Sequence, residues 1–243
     1  MRYEALALAA LFGAVLWGMY RRRRAAEKAR RAGLFDACLS LFDNYRVTQD
    51  DIDFPVLTGR YRGHPVRLEA LVDDIALRKL PSLWLLVTLR GPVPFAGIFD
   101  LLVRPQNVEF YSPSAGLDTT IRVPPGWPAH AAIRTDRPED MPPLDLLQGH
   151  IGMFDDPRTK ELLVTPRGVR IVYQANQAQR AQYLVLRQAE FAEPTLSPDL
   201  VRRLLDRAVA LYGDLAAGRP AANPPRDEEP QAPSRRVEAR FAV

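Results

Sequence analysis

Residues 5 to 20, ALALAALFGAVLWGMY, carry no charge and no proline, and four consecutive arginines follow at once. As a helix this run measures about 24 Å at 1.5 Å per residue, near the roughly 30 Å hydrocarbon thickness of a bilayer. Its flanks lengthen its reach. Arg2 and Arg21 can carry their charges outward on aliphatic stems, and Tyr3, Trp17 and Tyr20 are amphipathic aromatics suited to the two interfaces. The sequence therefore predicts a transmembrane anchor over residues 1–20. A cleaved signal peptide that releases an exported domain is the alternative. It would need a positive N-terminal flank and small residues just after the run, whereas Glu4 offsets Arg2 and arginines occupy the cleavage region.

The arginines also set an orientation. Arg21, Arg22, Arg23, Arg24, Lys28, Arg30 and Arg31 crowd the C-terminal flank, opposed there only by Glu27. Positive charge is retained on the cytoplasmic side of a membrane, so the expected arrangement is single-pass, with the N-terminus outside and the C-terminal domain in the cytoplasm. The same seven side chains form the predicted membrane-surface site, because each basic residue near an anionic leaflet gains about 1 kcal/mol. Membrane lipid is thus the first expected partner. The sequence pI near 9.4 suggests a nucleic-acid binder only until the charge is located. Eight of the 33 Lys and Arg residues precede residue 32, and the 25 that remain face 27 of the 29 Asp and Glu. The rest of the chain has no positive excess with which to neutralise phosphates, and no nucleic acid is expected as a partner.

Beyond the anchor, residues 21–43 read as a basic juxtamembrane helix, with Leu34, Phe35, Cys38, Leu41 and Phe42 at helical spacing and Gly33 as a possible break. Cys38, the only cysteine, cannot form an intramolecular disulfide and reads as small apolar filling. From Phe54 the period changes to that of strands. TGRYRGHPVRLEALV predicts a hairpin about Arg62-Gly63-His64, and LWLLVTL, residues 83–89, is apolar on both faces and predicts a central strand. Twenty-two prolines punctuate the chain; in residues 91–143 they divide short apolar pieces into what read as edge strands and loops. A second hairpin is predicted in ELLVTPRGVRIVYQ, and a strand in YLVLRQAEF, residues 183–191, although its lead-in from Ala175 favours a helix.

The last element is the most fully specified. Ser197 can cap, Pro198 suits the first helical position, and Gly218 can terminate a helix over 198–217, whose stripe is Leu200, Leu204, Ala208, Leu211 and Leu215. The Pro- and charge-rich residues 218–243 read as a disordered tail. Helix, then hairpins and strands, then helix, with no regular alternation, indicates an α+β fold. Residues 44–217 form its cytoplasmic domain, on a mainly antiparallel sheet flanked by the two helices.

Signatures of chemistry are scarce. The sequence has no phosphate-cradling glycine loop, no H-E-x-x-H, no C-x-x-C and no G-x-S-x-G. The one spacing that suggests a base with its orienter is His150 with Asp155 or Asp156, which makes a membrane-tethered hydrolase the enzymatic alternative. His64 and His130 add no third metal ligand, and neither a metal nor a cofactor is expected. QDDID, residues 49–53, and VDD, residues 72–74, lack the glycine and distal glutamate of a calcium loop, and YSPSAG, residues 111–116, reads as a turn. The sequence reads as a membrane-anchored cytoplasmic binding or scaffold module that engages other membrane proteins, its protein partner being one whose identity the sequence does not encode.

Overall fold

The computed structural model describes residues 2–73, 81–105, 109–177, 191 and 195–218. Helix α1 (Arg2–Ala32) runs through the apolar stretch into the basic cluster without interruption, and at Gly33 it tightens into a 3-10 segment, Gly33–Leu41. The expected break at Gly33 is therefore a change of helical pitch. Leu34, Phe35 and Cys38 turn inward from that segment. Burial pushes the Cys38 thiol up to about 11, and its Sγ lies 3.4 Å from the carbonyl oxygen of Leu196, so it behaves as buried filling.

Nine strands follow among the described residues: β1 (Asp43–Thr48), β2 (Val56–Tyr61), β3 (His64–Val72), β4 (Ser82–Arg90), β5 (Phe99–Val103), β6 (Thr119–Ile121), β7 (Ala131–Thr135), β8 (Thr159–Thr165) and β9 (Gly168–Gln177). They form one antiparallel sheet in the order β1-β2-β3-β4-β9-β8-β5-β7-β6. The fold is α+β, a large antiparallel sheet with helices at both ends of the chain. Both predicted hairpins form. Arg62 and Gly63 supply the two positive φ values, 48° and 82°, that match a two-residue turn to the twist of β2 and β3. Between β8 and β9 the turn falls on Pro166 and Arg167.

Two readings of the strand region change. Among residues 91–143, β5 is not an edge strand: it lies between β7 and β8, with Phe99, Asp100, Leu101 and Leu102 all buried. Its neighbour β8 comes about sixty residues later in the chain, so no local pattern reveals the pairing, and Asp100 interrupts the apolar run that would mark an interior strand. Residues 175–177 extend β9, against the expectation of a helical lead-in. The strand expected over 183–191 and the tail expected over 218–243 fall outside the described residues, except at Phe191 and Gly218.

One face of the sheet carries the main core. Leu68, Leu85, Val87, Leu101, Leu162 and Ile171 are wholly buried there. A short helix α2 (Leu144–Gln148), the 3-10 segment Ile151–Asp155 and helix α3 (Pro198–Ala217) supply the rest of that core. The α3 stripe packs on β4 and β9 through Val201, Leu204, Leu205, Ala208, Leu211 and Leu215. Gly218 ends it in the left-handed conformation, φ 61°, donating its N–H to the carbonyls of Asp214 and Leu215. Ser197 holds the N-cap position with no side-chain bond, so Pro198 carries the start alone. Leu204→Ala should cost about 2–5 kcal/mol in denaturant titration, as truncation of a buried leucine does, and a loss under about 1 kcal/mol would show that the α3 face is not packed. Gly168 is more constrained than Gly63. Its φ is 138° and an added Cβ would lie 2.1 Å from the Leu89 carbonyl oxygen, while at Gly63 nothing lies within 4 Å. Gly168→Ala should therefore lower the melting temperature more than Gly63→Ala; equal losses would refute the steric argument.

Candidate functional site

The predicted membrane-surface residues are all on the C-terminal half of α1, but they do not act as one free patch. Arg24 pairs with Asp51 in the β1–β2 turn and reaches the Tyr20 hydroxyl at 2.7 Å. Arg31 donates to the Ile52 carbonyl at 3.0 Å and stacks 4.8 Å from the centre of the Phe54 ring. The Arg30 and Arg31 guanidiniums both bond Glu27, whose carboxyl is held below its usual range by them against the opposing effect of burial. Gln49 Nε2 donates to the Lys28 carbonyl at 3.0 Å. Part of the basic cluster thus fastens α1 to residues 49–54, the acidic loop that sequence alone leaves without a role. Arg21, Arg22, Arg23 and the Lys28 side chain stay exposed.

The N-terminal half of α1 is the reverse. Among the described residues no helix is long and apolar enough to cross a membrane. Yet Leu8, Phe12, Trp17 and Met19 are 69%, 64%, 62% and 63% exposed. These are large apolar side chains left exposed by the described residues of the domain.

The expected pairing of His150 with Asp155 or Asp156 does not form. His150 Nε2 lies 2.9 Å from Asp214 Oδ2 on α3, while Asp156 Oδ2 accepts from the Tyr173 hydroxyl at 2.8 Å and Asp156 Oδ1 from the Arg158 N–H at 2.9 Å. Asp155 is exposed at the end of its 3-10 segment. The reason is the tight turning of Ile151–Asp155, which buries Ile151, Met153 and Phe154 and presents the histidine to the α3 helix instead. His64 packs edge-on against Tyr212 at 5.5 Å, and His130 contributes its carbonyl to the Arg104 N–H at 2.7 Å. No group of three His, Cys, Asp or Glu among the described residues could hold a metal ion.

What sequence reasoning missed lies on the sheet face opposite α3. Alternation along β5, β8 and β9 brings Asp100, Glu161 and Arg170 onto that face, with Asp100 and Arg170 both opposite Leu163 from either side of β8. Asp100 and Glu161 are fully buried. Arg170 Nη2 donates to Glu161 Oε2 at 3.0 Å and to the Tyr111 carbonyl at 2.8 Å; Ser112 Oγ donates to Asp100 Oδ2 at 2.9 Å; Arg134 reaches the Ser114 carbonyl at 3.1 Å. The segment YSPSAG is a turn, as expected, but one clamped over this face by the cluster. Trp84 packs beneath it, 4.9 Å from the Tyr111 ring.

The Arg170 guanidinium bonds Glu161 but not Asp100, and Asp100 Oδ1 and Glu161 Oε1 have no hydrogen-bond partner among the described residues. Two carboxyls buried this close together are accommodated if the pair retains a proton. Burial, reinforced by Asp100, raises the Glu161 carboxyl to about 7 in spite of Arg170, and burial raises Asp100 as well. The cluster's signal in sequence was only a pair of charges inside apolar strands.

No family model and no curated protein matches the chain. Among solved structures, the crystal structure of the mycobacterial trehalose monomycolate transport factor A, TtfA, is similar at 13% identity and a TM-score of 0.41 over 82% of this chain and 100% of that one.

The buried pair predicts a pH dependence. A carboxyl that binds its proton more tightly folded than unfolded favours folding at low pH, so stability should fall as pH rises from about 4.5, the ordinary glutamate value, to about 7. Glu161→Gln should flatten that fall. Denaturation midpoints of both proteins at pH 5 and pH 8 check it, and an identical decline in the variant would remove Glu161 as the cause.

Proposed function

We propose that this protein is a membrane-anchored binding module whose sheet domain is held against the cytoplasmic face of a bilayer. The observation that carries the reading is the exposure of Leu8, Phe12, Trp17 and Met19 on α1, on a stretch with no charged residue between Glu4 and Arg21. An apolar surface of that kind is costly in water, and lipid is the medium that removes the cost. The apolar half is short for the hydrocarbon core, so the insertion includes its flanks: Tyr3 and Tyr20 at the interfaces and Arg21 snorkelling to the headgroups. Arg21, Arg22 and Lys28 meet the anionic leaflet, whereas Arg24 and Arg31 fix the helix to the domain so that the sheet follows the anchor.

A protein partner has an available edge. All six residues of β1 are exposed, including Tyr45 and Val47, and its outer side pairs with no strand among the described residues. An unpaired edge strand offers backbone donors and acceptors for strand addition.

The protein should remain in the membrane pellet after alkaline carbonate extraction, and a reporter fused after Val243 should be active in its cytoplasmic form. Replacing Arg21 to Arg24 together by Glu should give mixed orientation, because the cluster that retains the C-terminal side is then acidic. Release by carbonate would remove the anchor, and activity of an exported reporter on the unaltered protein would reverse the orientation.

A further inference from the structure

We propose that the groove at the end of the β4 and β9 strands binds a phosphate ester, through the guanidiniums of Arg90, Arg167 and Arg170 and the hydroxyls of Thr88 and Thr165. The groove has a volume of about 540 Å³, and Leu163 contributes apolar wall. That size suits a small organic molecule. The site belongs to the sheet and does not depend on how α1 is placed.

Register builds it. On the face opposite α3, Thr88 lies across from Arg170 and Arg90 from Gly168, so two arginines occupy diagonal positions of one ladder. Thr165 also pairs with Gly168, from the β8 side, and Arg167 sits in the connecting turn. Gly168 is the shared neighbour of Arg90 and Thr165 in this row, and it brings no side chain. Three arginines therefore line one groove whose lining includes no carboxylate.

Their charges are not equally compensated. Arg170 is committed to Glu161 and to the Tyr111 carbonyl, with enough of its edge left to line the groove. Arg90 and Arg167 are exposed, and their guanidiniums form no hydrogen bond or ion pair with any described residue. Two unpaired positive charges beside a third call for a ligand near two negative charges, and a phosphate monoester carries about 1.5 to 2 at neutral pH on three acceptor oxygens. A carboxylate, with one charge and two oxygens, would leave a guanidinium and the threonine hydroxyls unmatched. Exposed arginines on a hairpin are commonly only solvated. Here the presence of three on one concave surface, in a domain with an excess of acidic residues, separates them from that case.

The source is a soluble ester rather than the bilayer's own headgroups, because the groove belongs to the sheet and none of its arginines lies on α1 or on residues 49–54, to which α1 is fastened. From strand rise and spacing the groove lies about 20 Å along the sheet from that contact.

The test uses the full-length protein in neutral detergent micelles, titrated calorimetrically with phenyl phosphate and with benzoate. Saturable phenyl phosphate binding that weakens with salt, benzoate bound at least tenfold more weakly, and a tenfold or greater loss in the Arg90→Gln/Arg167→Gln double variant are expected. Both side chains are exposed and unpaired, so the variant should keep its melting temperature, which circular dichroism verifies. Arg122→Gln, an exposed arginine outside the groove, should bind like the unaltered protein. Absence of saturable binding, or equal affinity in the double variant, would overturn the site. Benzoate binding as tight as phenyl phosphate would overturn the phosphate assignment. Displacement of phenyl phosphate by phosphatidic acid added to the micelles would overturn the soluble source and assign the groove to a headgroup.

Discussion

The pairing of β4 with β9 holds the sheet together. It joins the β1 to β4 meander to the strands that follow, running from Ser82 opposite Gln177 to Arg90 opposite Gly168. Both strands are interior, so both must be compatible with burial on two faces, and β4 is buried at every position from Ser82 to Val87. The approach is close enough at its end that only glycine fits at 168. The α3 helix packs on these same two strands, so the best-specified helix of the domain depends on a contact between segments far apart in the chain. Such contacts require loop closure before they stabilise anything, which makes this ladder costly in chain entropy.

A sheet has two faces, and here they are finished by different means. The first is closed by helices with apolar stripes and carries no fully buried charge among the described residues. The second has no α-helix among the described residues. It is closed in part by the Tyr111 to Gly116 loop, with a small apolar patch of Trp84, Leu86, Leu102, Tyr111 and Val172, and elsewhere by polar side chains. Asp100, Glu161 and Arg170 occur on this face because a loop carries its own backbone carbonyls and hydroxyls, which need partners when buried. Arg170 answers the Tyr111 carbonyl and Asp100 answers Ser112. The price is a second carboxyl near the same guanidinium, which holds its proton toward neutrality. The same arginine borders the basic groove, so the loop clamp and the groove share one side chain.

Basic residues on α1 serve two ends. Arg24 and Arg31 engage the Asp51 carboxylate and the Ile52 carbonyl, giving the helix a definite exit from the domain, while Arg21 and Arg22 remain available to a surface. A run of arginines that reads in sequence as a uniform topology signal is divided in the folded protein by helical phase, since residues seven apart, Arg24 and Arg31, face the same side.

The sequence by itself determined whatever depends on neighbours a few residues away: the extent of α3 from Pro198 to Gly218, the two hairpins about Arg62-Gly63-His64 and Pro166-Arg167-Gly168, whose last residues the structure gives to the strands that follow, the interior character of β4, and the helicity of the apolar run. Periodicity, proline and glycine are local constraints, and local constraints are legible. Tertiary structure alone decided which distant strand lies beside which. It placed β5 inside the sheet, gave His150 to Asp214 in place of the acids next to it in sequence, and turned Asp100, Glu161 and Arg170, three unremarkable charges on three strands, into one buried cluster beside a groove of arginines. Cross-strand register fixes those meetings, and register is a property of two segments at once, which no single stretch of sequence carries.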